Sequence, residues 1–246
     1  MKPETAQALR DIDRAFYRDC AEDFDRTRGR PWSGFDRVLA HCPDELTVLD
    51  VGCGNGRFAA RLAQESEPRR IHGYLGVDGS APLLARARQK PLPFPARFEH
   101  YDLLDDRPAP WVQTGTRYDL VVLFAVLHHI PGREKRAALV NTLADAVAPG
   151  GRLALSLFRY DRSERMLARR VPASTCAALL PEADSLEPGD HLLPFGHTGH
   201  LRYCHLFDDG EVEAHCRHGE LTLLEHFAPD SGGDRLNDYV VLGNPR

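Results

Sequence analysis

The sequence predicts an α/β protein built on a doubly wound, mostly parallel sheet of seven strands. Three observations predict it. Short β-branched and aliphatic runs alternate with segments of helical period. One such run, Leu46 to Val51, stops in a loop with glycine at every second position. Two further strand-like runs close the chain after a long irregular stretch. With 246 residues the chain fits one domain of generous size. Its expected parts are a helical extension over residues 1–45, a cofactor-binding core over 46–158, an insertion over 159–218 and a strand pair over 219–246.

Residues 4 to 25 carry Leu9, Ile12, Phe16, Cys20 and Phe24 at three- and four-residue intervals, one face of a helix. Pro31 breaks it, and Ser33 is placed to cap a second helix holding Phe35, Val38 and Leu39. This extension is expected either to cover a sheet face or to lie over the cleft. Leu46, Val48, Leu49 and Val51 then form a buried parallel strand that Gly52, Gly54 and Gly56 end abruptly. Glycine at these positions allows positive φ and lets a ligand approach with no Cβ in the way. A helix from Gly56 to Glu65 follows, so its free N–H groups face the loop. That is a nucleotide-type cofactor site. A nicotinamide fingerprint would need a third glycine where Arg57 stands. Instead Asp50 precedes alternating glycines, a carboxylate that suits a cationic or hydroxyl-bearing ligand better than a pyrophosphate.

The second strand, Gly73 to Val77, ends in Asp78, and Ser80 is positioned to cap a helix from Ala81 to Gln89. An acid there, about twenty residues past the glycines, can accept hydrogen bonds from both ribose hydroxyls. The third strand lies near Arg97 to Tyr101, followed by Asp102. The fourth, Tyr118 to Phe124, runs into His128 and His129, which therefore fall at the carboxyl end of the sheet, where ligands of open α/β sheets bind. Pro131 is expected to open a helix through Val147, and Pro149-Gly150-Gly151 to end it before the strand Arg152 to Phe158. The alternation is that of a Rossmann-like sheet. Leu221 to Phe227 and Asp238 to Leu242 should add an edge hairpin whose last strand is antiparallel.

Bulk properties bound the function. The longest apolar run, Leu120 to Leu127, is too short to cross a bilayer, and MKPETAQALRD has no apolar signal core, so a cytoplasmic protein without a membrane partner is expected. The six cysteines include no C-x-x-C pair, which argues against a disulfide framework or a zinc ribbon. H-x-x-H at His197 and His200, followed by Cys204 and His205, lacks a second spaced pair, and no metal site is expected. A formal charge of -5 does not advertise nucleic-acid binding, although Arg26, Arg28, Arg30 and Arg37, and again Arg159, Arg162, Arg165, Arg169 and Arg170, form local clusters.

The acid followed by G-x-G-x-G resembles the first motif of the class I S-adenosylmethionine (SAM) methyltransferases. That resemblance implies SAM as cofactor, bound by Asp50, Gly52, Gly54, Gly56, Asp78, Gly79 and Phe124, with Asp102 and Leu103 at the adenine, a role for which Asp105 and Asp106 compete with Asp102. Two segments outside the core narrow it. In FYRDCAEDFDRTRGRPW, residues 16 to 32, Tyr17, Ala21, Phe24, Thr27, Arg28, Pro31 and Trp32 match the tRNA methyltransferases that esterify the carboxymethyl group of wobble uridine. In residues 189 to 216, Asp190, Pro194, Arg202, Tyr203, His205, Phe207, Gly210 and Glu211 match a second pattern of that family. Phe195, Cys204 and Val212 depart from it, where the family has tryptophan, tyrosine and leucine.

The resemblance implies tRNA as substrate and a small zinc-binding activator subunit as partner. A carboxylate is ionised at neutral pH and needs no base to become a nucleophile, so the enzyme must aim it. Arg28 and Arg202 are the expected clamps, with His128, His129, Tyr203 and His205 shaping the pocket. The competing readings are methylation of a small-molecule acid or phenol, which the acidic charge favours, and a SAM-binding protein without catalysis.

Overall fold

The computed structural model describes residues 1–27, 31–65, 69–105, 108–196, 198–229 and 235–245. Its main sheet contains β1 (Glu45–Val51), β2 (Arg70–Asp78), β3 (Ala96–His100), β4 (Tyr118–Leu123), β5 (Val147–Phe158), β8 (Thr222–Phe227) and β9 (Asn237–Gly243). Their order is β3-β2-β1-β4-β5-β9-β8. The first five pair parallel; β9 runs antiparallel between β5 and β8. The expected seven-stranded sheet and its antiparallel closing strand are therefore present. The order reverses between β1 and β4, which opens a crevice at the carboxyl ends of those strands.

Alternating strand residues build a core on each face. Leu49, Val51, Val121, Leu123 and Leu153 pack with Trp111, Val140, Leu143 and Val212 on one side. Leu46, Val48, Leu120, Val122 and Val241 pack with Phe35, Val38 and Phe58 on the other. The helices that supply these residues are α3 (Ser33–Leu39), α4 (Arg57–Leu62), α6 (Pro110–Thr114), α7 (Arg133–Asp145) and, late in the chain, α10 (Asp209–Cys216), while α5 (Ala81–Ala87) packs beside β2 and β3. Gly34 of α3 lies so close to Tyr239 of β9 that a Cβ would collide with the ring.

Several local expectations change. The first helix divides into α1 (Pro3–Asp19) and α2 (Ala21–Arg26) at Cys20, which leaves helical geometry with ψ 13°. Trp32, not Ser33, is the N-cap of α3. Ser80 is the N-cap of α5 as expected, though its side chain makes no capping bond. The helix expected from Pro131 begins only at Arg133, because Gly132 takes a φ of 94° that no helix accommodates. β5 begins at Val147 and reaches regular pairing from Arg152 after an irregular stretch through Pro149-Gly150-Gly151.

The stretch after β5 holds α8 (Glu164–Leu167), α9 (Ala173–Leu179) and a separate hairpin of β6 (Asp190–Pro194) and β7 (Leu201–His205). The hairpin buries Leu192 and Tyr203 against Leu9 of α1. Extension and insertion thus pack on each other, and a polar network fastens them to the core. His205 bonds Asp190 through Nδ1 and Glu211 through Nε2, while Arg136 of α7 reaches Glu187, Glu211 and His205. Among the described residues no helix is long and apolar enough to cross a membrane.

Candidate functional site

The crevice is a cavity of about 440 Å³ bounded by the glycine loop, the ends of β2, β3 and β4, and the helices α1 and α2. Gly52, Gly54 and Gly56 have φ of 72°, 55° and 73°, the left-handed region that side chains resist. A Cβ on Gly52 would strike Val126, whereas one on Gly54 would meet nothing within 4 Å. Gly52 is packed tightly against Val126 of the cavity wall, and Gly54 is left open.

Asp78 organises the loop's front. Its carboxylate accepts the Gly54 N–H at 2.8 Å and the Ser80 N–H at 2.7 Å. Burial raises its pKa and these two donors pull it back. At the next strand end, Asp102 accepts the Leu104 N–H at 2.8 Å and Arg14 Nε at 2.7 Å. Gly79 lies against Asp102, and Leu103 and Phe124 line the same cavity. Ala125, just beyond Phe124, holds a φ of 57°, a strained conformation for a residue with a Cβ, with its N–H bonded to Ser156 Oγ at 2.7 Å.

Two expected cofactor residues lie elsewhere. Asp50 does not line the cavity; it is buried beneath the loop, where its carboxylate accepts the Tyr74 hydroxyl. Burial pushes its carboxyl up to about 7. Gly56 likewise faces away and packs on Ala87 of α5.

The N-terminal helices form the remaining wall through Asp13, Arg14, Tyr17, Arg18 and Phe24. Asp25 of α2 ties this wall to the loop by accepting from Asn55 at 2.7 Å and Arg86 at 2.5 Å. Asp13 is buried; Oδ1 accepts the Tyr203 N–H at 2.7 Å, and Oδ2 lies 3.4 Å from His129 Nδ1. His129 stands in the 3-10 turn Leu127–His129 after β4, and its Nδ1 donates to the Tyr203 carbonyl at 2.7 Å. Tyr17 meets the His129 ring edge-on at 5.6 Å.

The expected acceptor-side residues separate. His128 is buried beside the cavity with its ring against His129 and Phe158. Tyr203 is fully buried and donates its hydroxyl to Asp190 at 2.7 Å, so it reaches the site only through its backbone. His205 lies in the polar network away from the cavity. There burial would lower its pKa, but the hydrogen bonds to Asp190 and Glu211 raise it. The insertion, expected to form the substrate wall, supplies no cavity-lining residue among those described. Arg28 lies outside the described residues, as does His197.

Arg202 is different. Its guanidinium is buried, 5.5 Å from the Phe195 ring centre and 6.0 Å from that of Phe16, and its Nε has no hydrogen-bond partner. No ion pair engages it among the described residues. Its charge acts on Asp13 and Tyr17, both on the cavity wall. Asp13 itself had a signal in the sequence: Thr5, Ala6, Leu9, Asp13 and Phe16 are the buried residues of α1, and Asp13 is the single charge among them.

Residues 49–153 match the family model described as methyltransferase domain. The solved DhpI–SAM–HEP complex superposes with a TM-score of 0.62 at 17% identity, covering 98% of this chain and 99% of that one. The chain has the class I SAM methyltransferase fold and carries a methyltransferase domain. An uncharacterized methyltransferase of Mycobacterium tuberculosis H37Rv is 43% identical over 134 residues, 52% of this chain and 61% of the relative. Trans-aconitate 2-methyltransferase of Variovorax paradoxus is 32% identical over 63% of this chain and 54% of its own length. The tRNA (carboxymethyluridine(34)-5-O)-methyltransferase of Xenopus tropicalis is 25% identical over 88% of this chain and 38% of its own length. The chain thus spans about half the length of these curated relatives. The residues of the methyltransferase cavity fit SAM: the volume suits a nucleoside-sized ligand, Gly54 leaves space for it, and acids end β2 and face the end of β3.

Proposed function

We propose that this chain methylates a carboxylate oxygen, and that the acceptor is the carboxymethyl group of a modified wobble uridine in tRNA. The observation that carries the carboxylate is Arg202, a buried guanidinium beside the cavity wall with no acidic partner among the described residues. A buried guanidinium whose fork makes no ion pair among the described residues is costly, and a two-oxygen anion fits those donors. SAM, when bound, supplies an electrophilic methyl on a positively charged sulfur. Asp78 would hold the ribose and Asp102 the adenine, with the open face of Gly54 against the rest. Arg202, with Arg28 as second clamp, would orient the acceptor, and orientation alone removes several kcal/mol of barrier.

The tRNA assignment is supported by the motif residues Tyr17, Phe24, Arg202 and Phe207 and by the Xenopus relative. A small polycarboxylic acid is the second reading, favoured by the charge of -5 and by the trans-aconitate relative. Both acceptors are carboxylates. A zinc-binding activator subunit belongs to the first reading.

Tritiated SAM, offered with tRNA bearing free carboxymethyluridine or with trans-aconitate, separates them. We expect label in tRNA, released by mild base as a methyl ester is, and lost steeply as salt rises. Label only in the small acid would select the second reading. Label in neither, with candidate activator subunits supplied, would overturn both.

A further inference from the structure

We propose that His129 presents a proton-bearing nitrogen to the acceptor carboxylate and keeps that proton throughout the transfer, and that Asp13 is the positioning residue that maintains this state. The inference rests on the carboxylate acceptor proposed above.

The geometry assigns the two ring nitrogens. Nδ1 donates to the Tyr203 carbonyl, which fixes the ring and leaves Nε2 as the nitrogen turned away from β7. His129 lines the cavity, and with Nδ1 engaged by the Tyr203 carbonyl, Nε2 is the nitrogen left for a ligand. Asp13 lies on the same side as Tyr203, its Oδ1 held by the Tyr203 N–H and its Oδ2 left 3.4 Å from Nδ1 with no hydrogen bond. One residue of β7 thus positions both partners through its backbone: carbonyl to the imidazole, N–H to the carboxylate.

Other groups around His129 set the balance. Tyr17 approaches from α1, and His128 lies alongside. Cys204 of β7 brings its sulfur within 4.8 Å of the histidine nitrogens, and burial pushes its thiol up to about 12, so it carries no charge. Arg202 contributes a positive charge that disfavours a second cation. Asp13 is the acid beside the ring: burial raises its pKa, and His129, the Tyr203 N–H and Arg202 pull it back.

A base has no role with this acceptor, because a carboxylate has no proton to give. The lone pair of a neutral imidazole would face an anionic oxygen, whereas an N–H would bind it. In the step itself the carboxylate oxygen forms a bond to the methyl carbon, the sulfur–methyl bond breaks, and its electron pair returns to sulfur. No proton moves. The product ester is neutral and holds the N–H less strongly, which favours release.

The test is the pH dependence of kcat/KM for the carboxylate acceptor, alongside an NMR titration of the His129 ring in cofactor-free protein. We expect kcat/KM to fall as pH rises through the His129 midpoint. In Asp13→Asn that limb and the NMR midpoint should both move down by about half a unit or more. His129→Gln, which keeps an uncharged N–H, should lose the limb yet retain part of the activity. SAM affinity by calorimetry should stay within about two-fold for both variants. A limb that rises with pH, or an NMR midpoint unmoved in Asp13→Asn, overturns the inference. If Asp13→Asn does not fold, persistence of the limb in His129→Gln overturns it. A product that resists base would sink the carboxylate reading instead, while the NMR midpoint still decides the Asp13–His129 pairing.

Discussion

Arg14 of α1 donates from Nε to Oδ2 of Asp102 at the end of β3, 2.7 Å away. Its Nη2 reaches Asp105 at 2.9 Å as well, so the N-terminal helix is tied across the cavity to the strand that the adenine is expected to meet. The pair is partly exposed, and such bridges contribute about 1 kcal/mol or less. Arg14→Ala should therefore speed SAM dissociation only several-fold, and the effect should shrink in high salt. Stopped-flow release of SAM checks this; a hundred-fold change would mean that the helix is held by this bridge alone.

Asp78 has a larger expected effect. Removing its carboxylate leaves the Gly54 and Ser80 N–H groups without an acceptor and deletes the ribose contact. Asp78→Ala should weaken SAM by about 2–3 kcal/mol, roughly 30- to 150-fold. Calorimetry at unchanged circular dichroism is the check.

Asp50 makes stability pH-dependent. Burial pushes its carboxyl up to about 7, so the folded state keeps this proton after the unfolded chain, titrating near 4, has released it. Between those values the folded state binds more protons, and stability falls as pH rises; above about 7 the full cost, on the order of 3–4 kcal/mol, persists. Asp50→Asn should flatten that slope. Urea unfolding at pH 4.5 and 7.5, compared between the two proteins, measures it.

Arg202→Ala should lower kcat/KM for the acceptor by about 2 kcal/mol or more, at unchanged SAM affinity. Arg202→Lys keeps the charge without the fork and should recover only part of the loss. Equal activity of all three proteins would remove Arg202 from the acceptor site.

His205 should behave as a structural residue. His205→Gln breaks its bonds to Asp190 and Glu211 in a buried network, and the expected cost is about 2–4 kcal/mol of stability. The melting temperature should drop while SAM affinity holds. The reverse pattern would return His205 to the site.

Much of this was legible in the residues. Strand runs, the glycine loop and the acids at strand ends are local signals, and Gly52, Gly54, Asp78, Gly79, Asp102, Leu103 and Phe124 all meet at the cavity. What local pattern cannot carry is direction. Tyr203 and His205 alternate with Arg202 and Cys204 along β7, and only the pairing of β7 with β6 and α1 decides which set turns toward the site. Asp50 follows an apolar run and sits next to the loop in sequence, yet strand alternation turns it under the loop onto Tyr74. α6 was missed because five residues give no helical period, although Trp111 anchors it.

The position of β9 has a consequence for biosynthesis. This strand, buried along its whole length, fills the gap between β5 and β8. A nascent chain that has emerged only as far as β8 presents two unsatisfied strand rims, and neither can close until translation has passed Gly243. The strands β3, β2, β1, β4 and β5 can pair with one another before β9 is made, while β8 has no partner in the sheet until β9 arrives.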